Sequence, residues 1–128
     1  MGQQQLLLIV LGVILVGIAV IVGINLFVSH TKHTNIEGLT SDVVNLGSMA
    51  QQYYKKPLAT GGGGNSFIGW TIVSGLYTTG YGSYAITSIN AATVVITGTG
   101  NEFGANGNKV EVEAVVTMNN ISTSVTNP

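Results

Sequence analysis

The chain of 128 residues predicts an α+β fold: a long N-terminal helix, hydrophobic and then amphipathic, packed against a small C-terminal antiparallel β-sheet head. Three observations predict it. Residues 6–28 read LLLIVLGVILVGIAVIVGINLFV, 23 positions without a charge and with Asn25 as the one polar side chain. Ile36, Leu39, Val43, Leu46, Ala50 and Tyr53 then recur at alternating intervals of three and four, the spacing of one helix face. After Gly61-Gly62-Gly63-Gly64 the composition shifts to Gly, Ser, Thr, Asn and β-branched residues, the material of strands and turns. The expected division is 1–56 for the helix, with 1–28 as its hydrophobic segment and 36–56 as an amphipathic stalk, and 57–128 for the head.

At about 1.5 Å per residue, residues 6–28 are long enough to cross a hydrocarbon core of about 30 Å. The flank Met1-Gly2-Gln3-Gln4-Gln5 lacks the basic n-region of a secretory signal, and no small-residue cleavage site follows, so the segment reads as retained. Position 6 is Leu6 where a myristoylation signal needs Ser or Thr. Gly12, Gly17 and Gly23 stand at intervals of five and six, which is not the GxxxG spacing, although each permits close helix approach. By the positive-inside rule Lys32 alone favours an internal C-terminal part. The Lys-poor, Ser/Thr/Asn-rich composition of that part outweighs one lysine and suits an exported domain.

The helix is expected to continue through the polar joint SHTKHTN into the stalk. Asp42, Ser48, Gln51 and Gln52 fall between the apolar positions on wetter faces. Lys55 and Lys56 suit a helix C-terminus, and Pro57 followed by the glycine run ends it. Residues 3–56 as one helix would be about 80 Å long.

Strands are expected at 67–73, 84–89, 93–98 and 109–118, with Asn90-Ala91-Ala92 joining a hairpin and 98–108 making the next reversal. In Lys109-Val110-Glu111-Val112-Glu113 the alternation should point Val110 and Val112 at the stalk and the acids at water. Ala114-Val115-Val116 ends that strand as an apolar run open to another subunit. Tyr53, Phe67 and Trp70 are expected between stalk and sheet, and Tyr54, one position off the stripe, at a neighbouring subunit. Asn120-Ile121-Ser122 is a possible glycosylation sequon.

Only 7% of residues are charged, against roughly 25% in ordinary soluble domains. Four Lys/Arg and a formal charge of −1 offer no basic stripe, so no nucleic-acid partner is expected. The absence of cysteine removes disulfides, thiolate metal sites and cysteine nucleophiles. His30, His33 and Glu37 share a helical face but are spread over two turns, too far for one tight metal site. His33, Ser41 and Asp42 lack an oxyanion hole on a helix surface. The GGGG run lacks the Lys and Ser/Thr of a phosphate loop and reads as a turn. Asn101, Glu102, Asn106 and Asn108 bring a single carboxylate, too little for calcium. No enzyme chemistry, cofactor or metal is therefore expected.

The architecture resembles that of type IV pilins and pilin-like proteins, and the blocks MGQQQLLLIVLGVILVGI and AQQYYKKPLATGGGGNSFIGW look like those of a group of short bacterial pilin-like proteins. The resemblance implies a structural filament subunit, inserted in the membrane before assembly, handled by a leader peptidase and the inner-membrane pilus assembly machinery, and polymerised with copies of itself at the cell surface. It places the polymerisation interface on Gln3, Gln4, Gln5, Leu8, Leu11, Val13, Leu15, Ile18, Ile21 and Phe27. The alternative is a minor pseudopilin or a monomeric membrane-anchored surface-binding protein. Two positions depart from the pilin pattern. Gln5 stands where a glutamate pairs with a neighbour's N-terminal amine, with Leu7 there instead if cleavage follows Gly2, and Val22 stands where a helix-loosening proline is common. Burying a span such as 6–28 among copies would remove on the order of 1,500 Å² of apolar surface from water, worth tens of kcal/mol before entropy.

Overall fold

The computed structural model describes residues 2–128. Its elements are helix α1 (Gly2–Lys55), short 3₁₀ turns at Leu58–Thr60 and Ser74–Leu76, and strands β1 (Gly82–Ile89), β2 (Val94–Phe103), β3 (Lys109–Val116) and β4 (Ile121–Asn127). The fold is α+β, with the four strands forming one antiparallel meander in the order β1-β2-β3-β4. Two compact units are present, Met1–Thr31 and Lys32–Pro128, so the amphipathic half of α1 belongs to the same unit as the sheet.

In the second unit the helical stripe and the sheet close one core. Leu39, Val43 and Ala50 are fully buried and Leu46 nearly so, while Ile36 and Tyr53 pack at the margin. Across from them lie Val94, Ile96, Val110, Val112, Ala114 and Val116, all fully buried. Val110 and Val112 thus point inward as the alternation predicts, and Glu111 and Glu113 fall on the opposite, half-buried face.

Glycines set the closeness of this packing. A Cβ on Gly47 would stand 2.9 Å from Val116 Cγ2 and 3.1 Å from Ile121 Cδ1. One on Gly98 would stand 2.8 Å from the Tyr84 ring and 3.2 Å from Val43 Cγ1. One on Gly38 would overlap the Tyr81 ring. Periodicity counts apolar side chains, so it passes over Gly38 and Gly47, both buried on the helix face.

Two strand expectations are corrected. Residues 67–73 form a loop that drops three anchors, Phe67, Trp70 and Ile72, into the core. The Trp70 N–H donates to the Phe67 carbonyl at 3.0 Å and Gly69 has φ +94°, so the segment turns instead of pairing. The run Ala114-Val115-Val116 is not an open edge, because β4 pairs alongside it and Ala114 and Val116 face the core. β4 itself escapes the hydrophobic pattern: Ile121 is half-buried, residues 122–126 are exposed and Asn127 is buried.

The glycine run does specific work at the helix terminus. Gly63 N–H donates to the Tyr53 carbonyl at 2.8 Å, Gly64 N–H to Lys56 at 3.0 Å and Asn65 N–H to Tyr54 at 2.7 Å. These bonds satisfy carbonyls that a helix end leaves without partners. Gly61 (φ +87°) and Gly64 (φ +56°) adopt left-handed backbone to make the reversal.

Candidate assembly surface

Residues 6–28 leave water only if something outside the chain covers them. Every large apolar side chain in the span is more than half exposed, from 51% at Val22 to 70% at Phe27. Such a helix, near the N-terminus, has the length and composition to cross a membrane. Leu8, Leu11, Val13, Leu15, Ile18, Ile21 and Phe27 are all among the exposed residues, as are Gln3, Gln4 and Gln5.

These positions ring the helix. At about 100° per residue, Leu11 and Val13 point to nearly opposite sides. A helix apolar all round belongs in lipid or among several neighbours; a single partner would need only a stripe. The glycines point the same way. A Cβ at Gly12, Gly17 or Gly23 would meet nothing within 4 Å. Each glycine costs a helix about 1 kcal/mol relative to alanine, and nothing among the described residues uses the space it leaves.

Burial starts at Asn35. Its Nδ2 donates to the Tyr81 carbonyl at 2.7 Å, and its Oδ1 accepts from Asn101 N–H at 3.2 Å and Glu102 N–H at 3.4 Å. One amide thereby ties the helix to the loop entering β1 and to the far end of β2. Gly100 makes room for it, since a Cβ there would overlap Asn35 Oδ1. Apolar periodicity had no means of finding Asn35; the only sequence signal is a polar residue immediately preceding the stripe.

A second polar contact forms around Asp42. Its Oδ2 accepts from Thr79 Oγ1 at 2.9 Å and from the Tyr84 hydroxyl. Burial first, and then the hydrogen bond to the Asp42 carboxylate, pushes the Tyr84 phenol well above its ordinary range. The adjoining cavity, about 20 Å³ and lined by Asp42, Asn45, Leu46, Leu76, Thr79 and Tyr84, has room for about one water molecule. Asp42 therefore joins helix to sheet, while Ser41 and His33 are exposed.

At the helix C-terminus Tyr53 hydroxyl donates to the Ile68 carbonyl at 3.0 Å, and Gln51 Nε2 donates to the Thr117 carbonyl at 2.9 Å. Tyr54, expected at a neighbouring subunit, packs its ring on Phe67 with centroids 4.7 Å apart and stays partly exposed. Asn120 is exposed in the turn before β4, where its carbonyl accepts from Thr117 N–H at 2.8 Å.

Other sequence-level candidates are occupied by structure. The amides of Gly62, Gly63 and Gly64 are bonded to chain carbonyls. Asn101 Nδ2 donates to the Gly80 carbonyl at 3.0 Å, and Asn106 Oδ1 accepts from Asn108 N–H at 3.0 Å. Among the described residues no three His, Cys, Asp or Glu converge. Comparison with protein-family models, curated proteins and solved structures finds no match to the chain.

Proposed function

We propose that this chain is a non-enzymatic structural subunit of a type IV pilus-like extracellular filament, inserted in a membrane before assembly and polymerised through its N-terminal helix. The observation that supports this reading most is the contrast between the units. Residues 32–128 bury a complete core of their own, whereas the apolar side chains of 6–28 are exposed all round the helix. Lipid before assembly and neighbouring helices after it would each cover that surface. The three glycines without intrachain contacts favour helix neighbours. Gln3, Gln4 and Gln5 would bond one another or a neighbour's amine where the resembled family uses a glutamate. Assembly machinery and a leader peptidase are the partners this reading requires, and identical subunits in non-closing contact give a helical filament.

The second reading, a minor pseudopilin or an anchored surface-binding protein, draws on a groove of about 250 Å³ between Met49, Gln52, Tyr53, Lys56, Gly61, Trp70 and Val73. Electron microscopy of material sheared from cells, with antibody against this chain, separates the two. Filaments labelled along their length are expected. An abundant protein confined to the membrane fraction would refute the filament. Val13→Asp and Ile21→Asp should each abolish the filaments. An aspartate at the middle of an apolar span costs about 2.5–3.5 kcal/mol, and neither residue is a member of the core of residues 32–128.

A further inference from the structure

The unit of residues 32–128 has two unlike ends. At the end where α1 enters, Asn35 accepts from the amides of Asn101 and Glu102. At the far end Gln51 donates to the Thr117 carbonyl and the Tyr53 hydroxyl to the Ile68 carbonyl. From Asn35 to Tyr53 the helix covers about 27 Å. Outside residues 6–28, the large apolar side chains that are more than half exposed among the described residues are Leu58, Ile68, Val73 and Phe103. Leu58, Ile68 and Val73 surround Gly64 and Tyr53 at the far end, whereas Phe103 closes β2 at the entry end, directly after Glu102.

Charge divides along the same direction. No acidic side chain occurs from Val43 to Asn101 or after Glu113, so the far end has Lys55 and Lys56 without a carboxylate to meet them. The entry end has Glu37, Glu102 and Glu111 against Lys32 and Lys109, the last being the strand partner of Phe103. The far-end groove of about 250 Å³ lies among Met49, Tyr53, Lys56, Trp70 and Val73. It is smaller than the roughly 300–1,000 Å³ of small-molecule sites. Its aromatic and thioether walls are surfaces on which another aromatic ring packs well, and the exposed Lys56 adds a cation beside them.

We infer that Phe103 of one copy of this chain occupies the groove of the next copy, with Glu102 against Lys56. The occupant follows from three matches within one sequence: an exposed ring and a groove with aromatic walls, a carboxylate next to the ring and an ammonium next to the groove, and their positions at opposite ends. Both copies point the same way along α1, as copies drawn from one membrane do, and one is displaced along it by about 27 Å or more. A projection at one end that fits a groove at the other makes a heterologous contact, which repeats without closing. The ion pair at the rim sets register more than strength, and the ring is the anchor. The inference rests on the filament reading and deepens it: the N-terminal helices form the core, and this contact links the heads along the polymer.

Carbodiimide coupling of the parent filaments tests it, because the reagent joins a carboxylate directly to an amine in contact with it. Within one chain Glu102 and Lys56 are at opposite ends, so a Lys56–Glu102 bond identified by mass spectrometry joins two copies. It should produce a ladder of covalent dimers, trimers and longer species. K56E and E102K should each remove that bond, and the two reversals together should restore a bond between the same positions. F103A should lower filament yield roughly tenfold or more, while near-ultraviolet circular dichroism of Trp70 in detergent shows the head still folded. Absence of filaments from the parent would refute the filament reading, and this contact with it. Parent filaments without the Lys56–Glu102 bond, a double reversal no better than either single one, or F103A filaments as abundant as the parent's would each overturn the contact and leave the filament standing.

Discussion

Asn35→Ala should unfasten the helix from the sheet at its first buried position. Asn35 is 8% exposed, and the substitution leaves three groups without their partner: the Tyr81 carbonyl, and the N–H groups of Asn101 and Glu102. A buried group left unsatisfied costs about 1–3 kcal/mol. The Glu102 contact, at 3.4 Å, is long enough to contribute little. Two strong losses therefore give about 2–6 kcal/mol, and at about 4–8 °C per kcal/mol for a unit of this size the midpoint should fall by roughly 8 °C or more. Thermal unfolding of the full-length chain in detergent, followed through its one tryptophan, measures this. Asn35→Asp sharpens the test. It keeps an acceptor for the two amides but loses the donor to Tyr81, so as a carboxylate it faces a carbonyl oxygen. Burial and the facing Tyr81 carbonyl should oppose its charge more than the two long amide contacts favour it, which puts the expected folded pKa above the unfolded value. The variant should be most stable in acid, below the unfolded pKa, and lose stability as pH rises through the folded pKa. A melting point for Asn35→Ala within 3 °C of the parent (under roughly 1 kcal/mol), or a pH-independent Asn35→Asp, would refute the role assigned to this amide.

Gly47→Val should destabilise by about 1–3 kcal/mol through overpacking, because Val116 and Ile121 already occupy the space where a side chain would begin; denaturant unfolding at constant m-value checks it. Gly63→Ala should cost more than about 1 kcal/mol, since its Cβ would meet the Tyr53 ring at 2.7 Å and overlap the Ser66 carbonyl. Gly75→Ala, with open space around it, should stay within about 0.5 kcal/mol of the parent. Tyr84 has a folded pKa raised above its unfolded value near 10. Its contribution is thus fully present below about pH 10 and is lost as pH rises toward the folded pKa. In an alkaline titration by ultraviolet absorbance, one tyrosine of five should ionise only with unfolding, and Tyr84→Phe should remove that late component.

The elements most legible in the sequence are those whose burial is periodic. The stripe from Ile36 to Tyr53 and the alternation at Val110 and Val112 place apolar residues at the period of their own backbone, so the buried face can be read before any contact is known. The segment 6–28 is legible for a different reason: no aqueous fold tolerates 23 uncharged residues exposed on every side of a helix. Phe67, Trp70 and Ile72 misled because an irregular loop with three core anchors has the composition of a strand without its pairing. β4 was missed because most of its surface is exposed and carries no pattern.

Composition and periodicity alone therefore divide the chain into a helix whose apolar surface needs cover, a stalk with one apolar face, and a β-rich remainder with almost no charge. How closely helix and sheet approach is set in three dimensions, through Gly38, Gly47, Gly98 and Gly100. The tertiary structure also gave Asn35 and Asp42 their partners and turned a glycine run into a helix cap. Apart from the helix cap, whose partners stand 8 to 11 positions apart, those contacts depend on residues 40 to 70 positions apart meeting in space, and neither glycine nor a single polar side chain leaves a periodic trace from which such a meeting can be read.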